Sequence, residues 1–239
     1  MFNTEINKIL QSIDGNSFVI SDTHFNHKGV LKFEPSRLKE MVKKKYVHLT
    51  DSEEKMNLQH TEWIIDNWNS VVGENDLIIH LGDLAWRGHQ EILPRLNGKK
   101  ILILGNHDKK GPNTYHHFEY VVRGAHYIFG DMTYIAESTD KLFSSLQMTV
   151  DGKEIMFSHY PATQLEHRFK MIKDKVVPQT IINDRIDRLV EMCEEGVIEV
   201  NIHGHTHSLC YDTGLDGLEL KNCSLEAINF KPIRIKDLL

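Results

Sequence analysis

Side chains that can bind metal ions recur in five short segments of this chain. The last segment, residues 203–207, reads HGHTH and places His205 and His207 two positions apart. The four earlier segments add carboxylate, amide and imidazole groups: Asp22 with His24, Asp83, Asn106 with His107 and Asp108, and His159. Together these residues offer oxygen and nitrogen ligands for two divalent metal ions and leave one histidine for proton transfer.

The chemistry of these side chains favours particular metals. Asp22 and His24 flank one residue, so both side chains point to the same side of an extended strand end. A carboxylate combined with an imidazole suits manganese, iron, zinc or cobalt better than magnesium or calcium, which prefer oxygen ligands alone. Asp83 can bridge two metals because its carboxylate has two oxygens, and the neutral amide of Asn106 would leave such a centre more positive.

Each of the five segments directly follows a short apolar run that is typical of a buried strand. These runs are residues 17–21, 77–81, 100–104, 155–158 and 197–202. In layered α/β proteins, ligands bind beyond the carboxyl ends of the strands. The sequence therefore predicts an α/β fold in which five strand ends bring their polar side chains to one site.

Residues 30–73, between the first two predicted strands, have a helical pattern. Thr50 and Glu53 match a capping box, which predicts a helix that begins after Thr50 and ends near Gly73. Its buried face would carry Met56, Trp63, Ile64 and Trp68. Ser36 is predicted to cap a shorter, basic helix that runs through Lys45.

Three further local patterns lie toward the end of the chain. Asp151 and Gly152 separate two strand-like runs and predict a hairpin. Asn183 is predicted to cap a helix that ends at Gly196. The alternating residues 233–236 are typical of an edge strand.

Composition limits the classes of function. The 239 residues suit a single domain, and no apolar run approaches the length of a membrane helix. The net charge of −6 argues against a general nucleic-acid binder but allows a small phosphorylated substrate. The N-terminus lacks a signal-peptide pattern, and Cys193, Cys210 and Cys223 are too few and too scattered for a disulfide framework, so we expect small buried thiols and a cytoplasmic protein.

The ordered set D-x-H, G-D, G-N-H-D, a lone histidine and G-H-x-H resembles the signature of the calcineurin-like metallophosphoesterase superfamily. The resemblance covers about residues 17–215 and is closest to compact bacterial and phage members, judging by residues 20–25, 67–70 and 95–100. It implies one domain over residues 1–239, with a helical insertion at about 30–73. The implied fold is a four-layer α-β-β-α sandwich of two mixed sheets with flanking helices. Trp86 departs from the pattern, since the family often has a second aspartate there.

The resemblance also implies a cofactor of two divalent metal ions. Manganese is the expected metal, and iron, zinc, cobalt and nickel are the alternatives. The implied ligands form two sets joined by one carboxylate: Asp22, His24 and His207 for the first metal, Asn106, His159 and His205 for the second, and Asp83 as the bridge.

The mechanism that follows is a hypothesis about phosphoester hydrolysis. A hydroxide bridging the two metals would attack phosphorus, and His107, oriented by Asp108, would act as general acid toward the leaving oxygen. His27 and Arg87 are weaker candidates for contacting the substrate phosphate, with a structural or surface role as the alternative for each. For His203 we expect a packing or ligand-supporting role.

We therefore expect a metal-dependent phosphatase or phosphodiesterase that acts on a small soluble substrate, for example one of the nucleotide type. One alternative is a non-catalytic metal-binding or interaction scaffold of the same fold, which would have lost ligands, and another is a nuclease acting on nucleic-acid ends. Every implied ligand position is present here, which favours an enzyme. The motifs do not separate monoesters from diesters and indicate no oligomeric state.

Overall fold

The computed structural model describes residues 4–108, 115–136, 144–163, 181–207 and 215–239. In these ranges the strands are β1 (Phe18–Ile20), β2 (Leu77–His80), β3 (Lys99–Ile103), β4 (Tyr120–Val122), β5 (Gly124–Phe129), β6 (Met132–Ala136), β7 (Ser144–Val150), β8 (Lys153–Ser158), β9 (Val200–His203), β10 (Glu219–Asn222) and β11 (Ile233–Arg234). The helices are α1 (Thr4–Gln11), α2 (Val30–Phe33), α3 (Pro35–Lys43), α4 (Glu53–Asn69), α5 (His89–Ile92) and α6 (Ile181–Gly196), with short 3-10 turns at Leu93–Arg95 and Ile235–Asp237.

The first sheet has five strands in the order β11-β1-β2-β3-β4. Strands β1 to β4 are parallel neighbours, so their carboxyl ends lie along one edge of the sheet. Strand β11 pairs antiparallel with β1 at the border, which confirms the predicted edge strand for Ile233–Arg234. The remainder of that predicted strand forms the 3-10 turn Ile235–Asp237 instead.

The second sheet has six strands in the order β10-β9-β8-β7-β5-β6. Strands β8, β9 and β10 are parallel, whereas β7 runs antiparallel to β8. The predicted hairpin between β7 and β8 is confirmed, because Val150 pairs with Lys153 across Asp151 and Gly152. Both turn residues have positive φ, 51° and 81°, as a two-residue type I′ turn requires.

Hydrophobic cores on both faces of the second sheet define the layers. Alternate residues of β8 point to opposite sides, as the pleat of a strand requires. Ile155 and Phe157 enter the core shared with the first sheet, whereas Met156 joins a separate cluster with Leu189 of α6. Helix α4 packs on the first sheet through Trp68, whose ring lies 6.3 Å from that of His80 in β2. The predicted sandwich of two mixed sheets with flanking helices is confirmed.

Helix α4 begins two residues later than the capping box predicts. Its N-cap is Ser52, whose side chain accepts a hydrogen bond from the backbone N–H of Lys55. Asp51 is engaged in a preceding turn, where its carboxylate accepts from the backbone N–H of His48 at 2.7 Å. The helix ends at Asn69 rather than near Gly73. The predicted inward face is otherwise correct: Trp63, Ile64 and Trp68 are buried, and Met56 is partly buried.

Two other helix starts and one strand start also differ from the prediction. Helix α3 begins at Pro35 with Glu34 at its N-cap, so Ser36 lies inside the helix, because proline is favoured at the first helical position. Helix α6 begins at Ile181, which places Asn183 within its first turn, and it ends at Gly196 as predicted. Strand β9 starts at Val200 rather than at residue 197, since Val197 has a φ of 52° and follows the end of α6.

The described thiols are buried, as expected. Cys193 and Cys223 are both free and buried, whereas Cys210 lies outside the described residues. None of the helices in the described ranges has the length and apolar character needed to cross a membrane.

We predict that Ser52→Ala lowers the free energy of unfolding by about 1 kcal/mol, because the backbone N–H of Lys55 then loses its capping acceptor. Thr50→Ala is the matched control and should change stability much less, since Thr50 precedes the cap. Urea denaturation followed by circular dichroism measures both. Equal losses in the two variants would contradict the assignment of Ser52 as the cap.

Candidate metal centre

All five polar segments lie at one junction between the two sheets. Three of them follow the parallel strands β1, β2 and β3 of the first sheet, and two follow the parallel strands β8 and β9 of the second. Because parallel strands place their carboxyl ends at the same edge, the segments converge there. Each of the seven side chains predicted as metal ligands lies within 4 Å of at least one other at this edge.

Most of these residues occupy an uncommon backbone conformation. Asp22, His24, Asp83, His205 and His207 have positive φ values of 56°, 49°, 55°, 67° and 51°. Non-glycine residues rarely adopt this left-handed region, which costs free energy and is concentrated at functional sites. The chain therefore turns sharply after β1, β2 and β9 and directs these side chains into the junction.

Three glycines permit the close approach of these turns. A Cβ atom at Gly82 would overlap the backbone of Gly105, so the turns after β2 and β3 touch only because both residues lack side chains. A Cβ atom at Gly204 would overlap the hydroxyl of Ser21 and the carboxylate of Asp22. The second sheet can therefore approach the first closely enough for their polar side chains to meet.

Asp83 lies at the middle of the cluster. Its Oδ2 atom is 3.8 Å from Nε2 of His24 and 3.7 Å from Nε2 of His159. These two histidines belong to the two predicted ligand sets, so one carboxylate oxygen faces both. The other oxygen, Oδ1, accepts a hydrogen bond from the backbone N–H of His107 at 2.9 Å, which fixes the carboxylate in this orientation.

The first predicted ligand set surrounds the carboxylate of Asp22. Its Oδ1 atom lies 3.8 Å from Nε2 of His24 and 3.9 Å from Nε2 of His207, and the two imidazole rings are stacked 5.2 Å apart. The Oδ2 atom accepts hydrogen bonds from the backbone N–H of His205 at 2.8 Å and from the Ser224 hydroxyl at 3.0 Å. One oxygen of Asp22 is thus held by the protein, and the other points toward the two histidines.

The second predicted set surrounds His159. Its Nδ1 atom donates to the backbone carbonyl of Leu81 at 2.9 Å, which leaves Nε2 directed into the cluster. That Nε2 atom lies 2.8 Å from Oδ1 of Asn106 and 3.2 Å from Nδ1 of His205. An amide oxygen and two imidazole nitrogens therefore meet at one point, close to Asp83.

The donor set fits divalent cations. Among the described residues, the buried Oδ1 atom of Asp22 has no hydrogen-bond partner, and an unpaired buried carboxylate oxygen is costly. Candidate ligand atoms of Asp22, His24 and His207, and of Asp22, Asp83 and His159, all lie within 4.8 Å of one another in each group. A cation between them would satisfy this oxygen.

Burial controls the charge of the imidazoles. It lowers the pKa of His24, of His159 and of His205, so these rings are neutral near pH 7, the form that binds a metal. Burial also opposes protonation of His207, but its hydrogen bond to Glu226 and the charge of Asp22 outweigh burial and raise its pKa to about 9. A proton and a metal ion would therefore compete for the His207 ring.

The two central carboxylates respond to opposite influences. Burial tends to raise the pKa of Asp22, but the neighbouring His207, His159 and His24 overcome this and hold its pKa below the usual range. Burial and the negative charges of Asp22 and Asp108 raise the pKa of Asp83. The accumulated carboxylates repel one another, and positive charge placed between them would relieve that repulsion.

The orientation predicted for His107 by Asp108 is not what the structure has. The buried carboxylate of Asp108 accepts hydrogen bonds from three backbone N–H groups, those of Asp83 at 2.9 Å, Leu84 at 3.0 Å and Gly105 at 2.8 Å. It thus stabilises the turns after β2 and β3. The His107 ring instead faces the carboxylate of Asp83, whose Oδ2 lies 4.0 Å from Nε2.

His107 and His27 lie at the open side of the cluster. The side chain of His107 is 46% exposed, and its ring centroid is 6.0 Å from that of His24. The His27 ring is 5.8 Å from His24 and is half-buried, with its pKa lowered by burial. Arg87 is exposed and helps to line a small cavity next to His27. His203 is buried, and its Nδ1 atom is 2.8 Å from the carbonyl of Gly204, consistent with a packing role.

Sequence reasoning missed Glu226 and Arg37. Glu226 lies 3.4 Å from Nδ1 of His207 and forms a buried ion pair with Nε of Arg37. The same guanidinium donates to the backbone carbonyls of Asp22 at 2.6 Å and Thr23 at 3.0 Å. Glu226 and Arg37 are 189 positions apart, and no local sequence pattern links them. The complete burial of Arg37 on α3 is visible only in the structure.

We predict that Arg37→Met destabilises the metal-free protein by about 3 kcal/mol or more, because it removes the buried guanidinium that pairs with Glu226 and donates to the carbonyls of Asp22 and Thr23. Lys32→Met is the matched control: it removes an exposed pair with Glu53 and should cost about 1 kcal/mol or less. Urea unfolding in the presence of a chelator measures both. A loss in Arg37→Met no larger than in the control would show that the buried pair contributes little.

Sequence comparisons relate this chain to known proteins. The sequence matches the calcineurin-like phosphoesterase superfamily domain over residues 16–220. It is 35% identical over 99 residues to an uncharacterized protein of Methanocaldococcus jannaschii, a match covering 39% of this chain and 47% of that relative. It is 26% identical over 200 residues to the gene 66 protein of Mycobacterium phage L5, covering 81% of this chain and 78% of the phage protein.

A solved structure shares the fold. The chain is similar to a protein of unknown function from Aquifex aeolicus, with a TM-score of 0.61, 23% identity, and coverage of 91% of this chain and 94% of that one. At this identity the likeness concerns the fold alone. The sequence match spans most of the chain, and the two sheets and their polar edge agree with it, so this chain belongs to the calcineurin-like phosphoesterase superfamily.

Proposed function

We propose that this protein is a dinuclear metal-dependent phosphoesterase that hydrolyses a small phosphate mono- or diester. Membership of the calcineurin-like phosphoesterase superfamily supports metal-dependent phosphoester chemistry in general. The proposal of two metal ions rests on the position of Asp83. One of its carboxylate oxygens, Oδ2, lies within 3.8 Å of an imidazole nitrogen from each predicted ligand set. A shared carboxylate is what two adjacent metal ions would need.

In this proposal the seven clustered side chains hold two metals. Asp22, His24 and His207 would hold the first, Asn106, His159 and His205 would hold the second, and Asp83 would contact both. The mixed oxygen and nitrogen set favours manganese, with iron, zinc, cobalt or nickel as alternatives. Such ions would supply Lewis acidity toward phosphate oxygens and activate a water molecule near neutral pH.

The protein's own groups perform the remaining tasks. Arg37 and Glu226 hold the Asp22 backbone and the His207 ring in place, and Asp108 holds the turns after β2 and β3 together. His107 is the proposed general acid, because its exposed ring lies at the rim, where a leaving oxygen would emerge. Burial lowers the pKa of His107, and a bound anionic ester beside it would favour its protonated form.

The proposed substrate is a small phosphate ester rather than a long nucleic acid. The net charge of −6 gives the chain no general attraction for a polyanion, so binding would depend on the metal centre and a few local cations. The family motifs do not distinguish a monoesterase from a diesterase.

The test is hydrolysis by the manganese-loaded protein of para-nitrophenyl phosphate, its bis-ester, and a panel of nucleotides and cyclic nucleotides. We expect turnover of at least one ester class and loss of that turnover on chelation. If no ester is hydrolysed although the metal is bound, the enzyme proposal is wrong.

We predict that Asp83→Asn lowers the metal content from about two ions per chain to one or fewer, because the shared ligand loses its charge. Asn preserves the size of the side chain and can still accept from the backbone N–H of His107. Asp131→Asn, in the exposed β5–β6 turn, is the matched control and should retain both ions. Elemental analysis after gel filtration gives the ratio. Two ions retained in Asp83→Asn would rule out the bridging role.

We predict that His107→Ala reduces turnover of esters with poor leaving groups by about 100-fold or more, since such leaving oxygens need a proton in the transition state. Esters of para-nitrophenol, whose leaving group needs no proton, should be affected much less, and the metal content should not change. His48→Ala, an exposed histidine away from the cluster, is the matched control. Equal effects on both ester types would argue against a general acid.

A further inference from the structure

We propose that a recess beside His107 binds a planar aromatic leaving group of the substrate, such as a nucleoside or an aryl alcohol, with Trp86 as its stacking surface. The recess is the cavity of about 250 Å³ lined by Asn26, His27, Lys28, Gly29, Trp86 and Arg87. This proposal rests on the proposed phosphoesterase function and names the class of ester that this centre would accept.

Trp86 differs from the other two tryptophans of the chain. Trp63 and Trp68 are 1% and 0% exposed, whereas Trp86 is 47% exposed. Its ring lies 5.1 Å from the ring of His107 and 4.5 Å from the ring of His27. An exposed indole is thus set directly between the proposed general acid and the recess.

Exposed aromatic surface continues beyond Trp86. The ring of His27 lies 6.2 Å from that of Phe33, which is 75% exposed. Single exposed hydrophobic residues are ordinary, but neighbouring exposed aromatic rings at the mouth of a polar centre form a surface on which a planar group can stack.

The backbone around the recess is fixed before any ligand arrives. The backbone N–H of Trp86 donates to the backbone carbonyl of Phe25 at 2.9 Å. The side chain of Asn26 donates to the carbonyl of Arg87 at 3.1 Å and accepts from the hydroxyl of Thr61, in α4, at 3.1 Å. A site that is already ordered loses little conformational entropy on binding.

The charge of the recess suits a phosphate ester. Lys28 and Arg87 both line it, and neither forms an ion pair with another residue that the structure describes. They contrast with the acidic balance of the whole chain and would attract an anionic substrate to this side of the centre.

The position of the recess relative to His107 indicates which part of the substrate would lie in the recess. The general acid must approach the oxygen that leaves with the alcohol, so the alcohol lies on the same side as His107. Trp86 touches that side, so the group that it contacts would be the leaving alcohol.

A polynucleotide fits this surface less well than a single nucleotide. The adjoining cavity of about 390 Å³, which shares Asn26, Lys28 and Arg87, is also lined by Glu53 and Glu54. These carboxylates would repel a second phosphate group.

The first test compares adenosine 5′-monophosphate with ribose 5-phosphate, which share the scissile ester and differ in the base. We expect kcat/KM to be at least about tenfold higher for the nucleotide, the gain typical of stacking a base on an aromatic ring. Trp86→Ala should reduce this preference to near unity, and Trp86→Phe should retain part of it. Phe129→Ala, an exposed aromatic residue in β5, should leave the preference unchanged. No preference in the wild-type protein, or a preference that survives Trp86→Ala, would overturn the proposal.

The second test measures binding without turnover and so separates this inference from the proposed activity. The probe is the phosphonate analogue of the nucleotide in which a methylene group replaces the ester oxygen. We expect it to quench tryptophan fluorescence in the wild-type protein and not in Trp86→Phe, because the two remaining indoles are buried. The ribose phosphonate should not quench. Saturable quenching in a protein that hydrolyses no ester would refute the proposed activity but support the aromatic site. Absence of quenching in the wild-type protein, or equal quenching in Trp86→Phe, would refute the aromatic site.

Discussion

The left-handed turns at the strand ends are the constraint on which the rest of this structure depends. Five of the seven clustered side chains belong to residues with positive φ, so the backbone turns abruptly after β1, β2 and β9 and presents those side chains to the junction of the two sheets. Such turns cost free energy, which the packed sheets on either side must offset. The close contacts across Gly82 and Gly204 then allow carboxylates and imidazoles from separate sheets to share one space.

A buried arginine extends this constraint into the helical segment between β1 and β2. Arg37 of α3 binds the carbonyls of Asp22 and Thr23 and pairs with Glu226, which contacts His207. The guanidinium also lies 3.3 Å from Nε2 of His60 in α4. The helices of residues 30–73 therefore do more than cover the sheet. Through Arg37 they connect the segment that follows β1 with His207, which follows β9.

The same segment shapes the approach to the centre. Thr61 of α4 fixes Asn26, and Asn26 fixes the turn that carries Trp86 and Arg87. Rigid helices thus support both the buried side of the cluster, through Arg37, and its open side, through Asn26.

The sequence by itself determined the identity and order of the clustered residues, because metal-binding side chains directly after apolar runs are a local pattern. It also determined the layered α/β fold and the hairpin at Asp151 and Gly152, where residue type sets backbone conformation. Only the tertiary structure decided that Ser52 caps α4, that Asp108 serves backbone amides rather than His107, and that Glu226 supports His207. These choices depend on burial and on contacts between distant residues, such as the 189 positions that separate Arg37 from Glu226, and no local pattern encodes them.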